Sequence, residues 1–127
     1  ASMDITVLIG QYDQGNEPSH HNTYMYAYSG EHYKIADKVR YINNELYTDQ
    51  PNGLSGNEDC GQMSAWYILS SMGFYPVNPS NGAYVFGSPL FDEVVLDIPG
   101  QKQFKISAKT FFQTNSTQAE KLFYLVK

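Results

Sequence analysis

The feature that most constrains the fold is a polar, glycine-rich segment that runs directly into an apolar one. Residues 53–61 contain glycines at both ends and two adjacent carboxylates, Glu58 and Asp59. Residues 60–72 then carry apolar side chains at helical spacing, and we predict a helix there with one buried face. That predicted face consists of Ala65, Ile68, Leu69 and Met72. A loop tethered to a helix start in this way is a candidate functional site.

Two further helices are predicted upstream of this segment. Ile35, Val39, Ile42 and Leu46 recur at helical spacing, which predicts a helix over residues 31–47. Pro18 suits the first turn of a shorter aromatic-rich helix over residues 19–28, because the missing proline N–H has no partner in a first turn anyway. The segment before these helices, residues 4–9, fits either a strand or the end of a helix.

From residue 83 onward the pattern changes to short β-branched and aromatic runs separated by turn residues. The predicted strands are 83–86, 93–98, 103–107 and 121–126. Pro76, Pro79 and Gly82 mark a long turn region before them. Helices first and strands second indicate the α+β class, with residues 1–77 as a helical part and residues 78–127 as a β-strand region.

Composition excludes several classes of function. The chain has 127 residues and a net charge of −5, which argues against nucleic acid as a partner. No apolar run is long enough to cross a membrane. The single cysteine, Cys60, allows no internal disulfide, and the two carboxylates beside it disfavour the thiolate that a nucleophile needs.

The Asn57-Glu58-Asp59 run has two interpretations. A carboxylate at a helix N-terminus is stabilised as the anion, which makes it a good base or metal ligand. Alternatively, Asp59 serves only as a helix N-cap. A second polar cluster lies upstream in residues 15–21, and we predict that the two clusters face each other.

This second cluster contains Asn16, Glu17, His20 and His21. Adjacent histidines on a helix diverge by about 100°, so at most one of them aims at a given point. One histidine is predicted to contact substrate, although a surface or capping histidine is the open alternative. Oxygen ligands from Glu17, Asn16 and Asn57 suit calcium better than zinc. Carboxylates, carboxamides and nearby aromatics together are typical of a carbohydrate site.

Four segments, residues 15–21, 53–67, 72–77 and 84–91, resemble glycoside hydrolase family 92. The resemblance covers residues 5–109 and implies a calcium-dependent, inverting exo-α-mannosidase, with α-1,2-linked mannose as the expected substrate. Such enzymes pair an N-terminal β-sandwich with an (α/α)6 barrel. This chain resembles about three helices from the end of the barrel and the antiparallel β region that follows. The resemblance also implies an extracytoplasmic, periplasmic or secreted, parent protein.

The resemblance further implies site roles. Asp59 matches the general base, with Glu58 or Asn57 in support, and Glu17 matches a contact to mannose near the calcium. Asn16, His20 and His21 would be further contacts to mannose-containing glycans. The family's general acid lies in an upstream segment that has no counterpart in this sequence. We therefore expect this chain to be inactive alone.

Two alternatives to this function remain open from the sequence. The chain could be a non-catalytic carbohydrate-binding or interaction module, or part of a different six-hairpin-barrel hydrolase such as a glucosidase. Faces that pack against missing barrel helices would be exposed, so a dimer that covers them is also expected.

Overall fold

The computed structural model describes residues 8–9, 11–100 and 103–107. Its two α-helices are α1 (Tyr33–Glu45) and α2 (Gln62–Met72). Its strands are β1 (Leu8–Ile9), β2 (Tyr12–Asp13), β3 (Phe74–Asn78), β4 (Ala83–Phe86), β5 (Glu93–Leu96) and β6 (Phe104–Ser107). Three 3₁₀ helices cover Glu17–Ser19, Asn22–Ala27 and Pro79–Asn81. Within these residues the strands form three separate antiparallel pairs, β1–β2, β3–β4 and β5–β6.

Helix α1 confirms the prediction from apolar spacing, with ends two residues inside the predicted ones. Ile35, Val39 and Ile42 are buried on one side, while Asp37 and Lys38 are exposed on the other. Burial of each such aliphatic side chain contributes about 1.5–3 kcal/mol, so the apolar stripe holds α1 against the core.

Helix α2 lies where it was predicted, but only part of its predicted buried face is correct: Leu69 packs against the core, whereas Ala65 and Ile68 do not. Met63 and Trp66 are fully buried, whereas Ile68 is 56% exposed and Ala65 is also exposed. Residues 66 and 68 are about 200° apart around a helix, so burying Trp66 turns Ile68 outward. The orientation is fixed by hydrogen bonds: Trp66 Nε1 donates to the His20 carbonyl at 2.9 Å, and the Tyr24 hydroxyl donates to Ser70 Oγ at 2.8 Å.

The predicted helix over residues 19–28 is not an α-helix but the 3₁₀ helix Asn22–Ala27. Its backbone bonds span three residues, as in Tyr24 N–H to the His21 carbonyl. This tighter spiral places residues i and i+3 on one line, so Tyr24 and Ala27 both face the core. Pro18 does lie at the start of a helix, as predicted, but that helix is the separate 3₁₀ helix Glu17–Ser19 and not the one that follows.

The aromatic core surrounds Trp66. The Tyr47 ring is stacked on Trp66 with 6.0 Å between ring centroids, and the Tyr24 ring is stacked on Tyr75 at 5.2 Å. Burial is the main cause that raises the pKa of the Tyr24 and Tyr47 hydroxyls above the ordinary tyrosine value. Their hydroxyls donate to partners inside the core, so these tyrosines are structural residues of the core.

In the β region, strands β4, β5 and β6 confirm three of the predicted strands. The interpretation of residues 76–82 as a long turn is wrong at its start, because β3 continues through Pro76 and pairs with β4. Pairing is irregular between Tyr75 and Asn78, and a proline without an N–H fits such an irregular position. Leu8 and Ile9 form a strand, while the remainder of residues 4–9 and the predicted strand 121–126 lie outside the described residues.

None of the helices in the described residues is long and apolar enough to span a bilayer.

Candidate active site

The loop before α2 adopts an unusual backbone conformation. Asp59, Cys60 and Gly61 follow one another with φ angles of 52°, 56° and 96°. For a residue with a side chain this left-handed region costs about 1–2 kcal/mol, and aspartate tolerates it better than most residues. Backbone bonds hold the turn: the amides of Gly61 and Met63 donate to the Glu58 carbonyl, both at 3.2 Å. Strain of this kind occurs preferentially at functional sites.

The two adjacent carboxylates have different environments. Glu58 Oε1 accepts the Ser64 backbone N–H at 2.9 Å, and Oε2 accepts the Ser64 hydroxyl at 2.7 Å. Glu58 therefore satisfies a free N–H of the first helical turn. Gly61 is the N-cap residue, so the interpretation of Asp59 as the N-cap is wrong. Among the described residues, no hydrogen bond or ion pair engages the Asp59 side chain, and it is half-buried.

His20 lies inside the protein and not on its surface. The side chain is 1% exposed, and its ring centroid lies 5.9 Å from that of Trp66. Nε2 lies 2.9 Å from the Gln14 carbonyl, and Nδ1 lies 2.9 Å from Gln62 Nε2. Burial lowers the pKa of His20, and it outweighs the Gln14 hydrogen bond and the charges of Glu17 and Asp59, which raise that pKa. His20 is therefore neutral, with both ring nitrogens occupied.

A small open cleft of about 210 Å³ lies beside His20. Glu17, His20, His21, Gln62 and Tyr75 are among the residues that line it. Glu17 and His21 are exposed, so these two side chains are available to a bound molecule. The structure thus brings together three of the residues predicted from the upstream cluster.

The remaining predicted residues do not line this cleft. Asn16 and Asn57 are exposed. The charge of Asp59 raises the pKa of His20, and the charge of Glu17, which lies in the same cluster as His20, has the same effect. His20 is linked to the Asp59 loop through Gln62, whose side chain contacts the His20 ring and whose backbone N–H donates to the Asp59 carbonyl. That the two polar clusters face each other stays a prediction.

The oxygen donors of the predicted site match calcium only in part. Carboxylate and carboxamide oxygens such as those of Glu17 and Asn57 are the right chemical type, but calcium takes six to eight oxygen ligands. No group of three His, Cys, Asp or Glu side chains able to hold a metal exists in the described part of the chain. The described residues therefore do not form a calcium site by themselves.

Sequence reasoning missed two glutamines. Gln62 Nε2 lies 2.9 Å from His20 Nδ1 and donates to the Tyr75 hydroxyl at 3.0 Å, and Gln14 Nε2 donates to the Tyr47 hydroxyl at 2.8 Å. Gln62 is the first residue of α2, directly after the glycine-rich loop, and this position at the helix start was the available signal.

A larger cleft of about 770 Å³ lies elsewhere and contains none of the predicted site residues. It is lined mainly by polar and aromatic side chains, among them Tyr12, Asn22, Tyr26, Asp37 and Tyr41. Size alone does not make it the better candidate, because the described residues that line it include neither the left-handed Asp59 and Cys60 nor the buried imidazole of His20.

Three comparisons identify relatives. The chain is 42% identical to a solved family GH92 α-mannosidase, BT3965 from Bacteroides thetaiotaomicron, described in complex with mannoimidazole, with a TM-score of 0.76 over 84% of this chain. It is 46% identical, with a TM-score of 0.71 over 79% of this chain, to the family GH92 inverting mannosidase BT2199 from the same organism. An uncharacterized secreted glycosidase of Arthroderma benhamiae is 32% identical over 85 residues, 67% of this chain.

This chain spans only a small part of those relatives, 14% of each solved structure and 11% of the fungal protein. The family model for the glycosyl hydrolase family 92 catalytic domain matches residues 1–124. That match covers nearly the whole chain, and the resemblance inferred from the sequence motifs is confirmed. The chain belongs to glycosyl hydrolase family 92.

Proposed function

We propose that this chain is a piece of a longer exo-α-mannosidase and forms one wall of its active site. The reaction is inverting hydrolysis of terminal α-linked mannose, with α-1,2 linkages as the expected substrate. A related enzyme described as an inverting mannosidase supports the stereochemical part of this proposal. The helices would belong to the end of an (α/α)6 barrel, with residues 1–77 as the helical part and 78–127 as the β region.

The observation that carries the proposal is the different environment of the two carboxylates. Both carboxylate oxygens of Glu58 accept hydrogen bonds from Ser64, whereas the half-buried Asp59 carboxylate has no such partner within the described residues. In the reaction, Asp59 takes a proton from water while the water oxygen bonds to the anomeric carbon. The glycosidic C–O bond breaks, and the departing oxygen receives a proton from a second carboxylic acid.

We place that second carboxylic acid outside this chain, so the isolated chain is inactive. Glu17 and His21 line the cleft and would hydrogen-bond mannose hydroxyls, and the exposed Asn16 would be a further contact. Calcium remains part of the proposal: Glu17 and Asn57 would supply some of its oxygen ligands, and the rest would come from other parts of the enzyme. A calcium ion bound there would polarise and orient sugar hydroxyls.

The test substitutes Asp59→Asn in the longer enzyme. Mannose release from a synthetic α-mannoside should fall by about 10²–10⁴-fold, because general-base catalysis contributes about that much. Added azide, which needs no deprotonation, should restore turnover and give the β-mannosyl azide. Asp49→Asn is the matched control, since Asp49 is exposed and bonded only to Gln50 within the described residues. Full activity of the Asp59→Asn enzyme would refute the proposed role.

A non-catalytic carbohydrate-binding module is the second candidate, supported by the cleft that Glu17, His21 and Tyr75 line. Calorimetric titration of the longer protein with mannose and calcium, paired with the activity assay, separates the two. Binding without turnover favours the module. Turnover of α-glucosides in preference to α-mannosides would instead indicate a glucosidase.

We also propose an extracytoplasmic location for the longer protein, since its fungal relative is described as secreted. Fractionation of producing cells tests this.

The isolated chain should self-associate, because Ile68 and Phe91 are 56% and 54% exposed. Light scattering that gives a monomer mass at high concentration would contradict the dimer.

A further inference from the structure

Gln62, the first residue of α2, contacts three separate parts of the site. Its side-chain Nε2 lies 2.9 Å from His20 Nδ1 and 3.0 Å from the Tyr75 hydroxyl. Its backbone N–H donates to the Asp59 carbonyl at 3.2 Å. One residue therefore joins the left-handed loop, the buried histidine and strand β3.

The partners of His20 define its protonation. The Gln14 carbonyl can only accept a hydrogen bond, so Nε2 of His20 carries the proton. Nδ1 of the neutral ring is then an acceptor, and the Gln62 amide nitrogen is a donor. The two glutamines thus select one tautomer of the imidazole between them.

We propose that Gln62 is a positioning residue that fixes His20 as the Nε2–H tautomer and thereby sets the Glu17–His21 side of the cleft against the Asp59 loop. The effect of Gln62 on catalysis rests on the proposed function, whereas its effect on the His20 tautomer does not. His20 is on this account a positioning residue too, and not a direct sugar contact.

Two observations support this assignment. His20 is held a third time through its backbone carbonyl, which accepts Trp66 Nε1–H at 2.9 Å, so ring and main chain are both fixed. Glu17 and His21 flank this fixed residue and reach the cleft. Reacting groups lose about 10²-fold in rate when they are misplaced by about 1 Å, so a residue that joins the two sides controls catalysis without touching substrate.

The first test reads the His20 ring directly by ¹⁵N NMR of the chain. Gln62→Glu replaces the donor with an acceptor, and Nδ1 of His20 should then gain a proton and donate to the new carboxylate. The charges of Glu17 and Asp59 near the ring favour the same change. Gln50→Glu, in an exposed loop, is the matched control and should leave the His20 resonances unchanged. An Nδ1 resonance in Gln62→Glu that stays at the position of an unprotonated acceptor nitrogen would overturn the inference.

Gln62→Met keeps the side-chain length but removes the donor, and it covers the case in which Gln62→Glu does not fold. Nδ1 should shift to the resonance of an acceptor without a hydrogen bond, and no shift would overturn the inference. In the longer enzyme, kcat should fall about 10–100-fold with KM within about threefold. An unchanged kcat would refute the effect of Gln62 on catalysis. The proposed function itself is tested separately, by the activity of the Asp59→Asn enzyme.

Discussion

Replacing Glu58 by alanine should destabilise the chain without touching the candidate base. The substitution removes two hydrogen bonds to Ser64, one from the backbone N–H at 2.9 Å and one from the hydroxyl at 2.7 Å. Loss of a capping contact costs about 1 kcal/mol, and loss of the hydroxyl bond at this half-exposed position costs about as much again. We therefore expect the free energy of unfolding to fall by about 2 kcal/mol.

Urea titration measures this change, with fluorescence of the buried Trp66 as the signal. With a slope of about 2 kcal/mol per molar urea, the midpoint should fall by about 1 M. Asp59→Asn is the matched control: asparagine also tolerates the left-handed conformation at this position, so its midpoint should stay within about 0.25 M of the parent. A Glu58→Ala midpoint equal to the parent, or an equal loss in Asp59→Asn, would refute the different roles of the two carboxylates.

Two further perturbations follow from the structure. The pKa of His20 in the folded protein lies below its usual 6.5, so the unfolded chain binds the proton first and the free energy of unfolding should decline as pH falls below about 6.5. In His20→Gln, the urea midpoint should therefore change less between pH 7.5 and pH 5 than it does in the parent. An equal change in both proteins would contradict this. Gly53→Ala would place Cβ 2.2 Å from the Thr48 carbonyl oxygen and should cost about 3 kcal/mol. Gly82→Ala enters open space at φ +68° and should cost about 1 kcal/mol, and the opposite order of thermal midpoints would count against this.

Sequence periodicity was sufficient for α1, because all of its buried side chains except Asn43 are aliphatic and recur at helical spacing. It failed for part of the face of α2, because polar groups fix that face. Ser70 is buried through its bond to Tyr24, and a periodicity argument places serine outside. Strand β3 was missed because Pro76 reads as a turn residue, and only its pairing with β4 shows that the irregular position accommodates it.

For the candidate site, residue type identified the two clusters but not the role of each side chain. Glu58 and Asp59 are adjacent and chemically alike, and only the positions of Ser64 and the left-handed turn distinguish them. His20 was expected to contact substrate, yet its two ring nitrogens are bonded to Gln14 and Gln62. Such long-range partners, 6 and 42 residues away along the chain, leave no local pattern in the sequence.

The bond from Trp66 to the His20 carbonyl has a consequence for how the protein fluctuates. Because the same indole is stacked in the aromatic core and holds the polar cluster, the cleft and the core form one cooperative unit. We therefore expect the His20 backbone amide, which donates to the Glu17 carbonyl, to exchange with solvent more slowly than amides of exposed loops, because His20 opens together with the core.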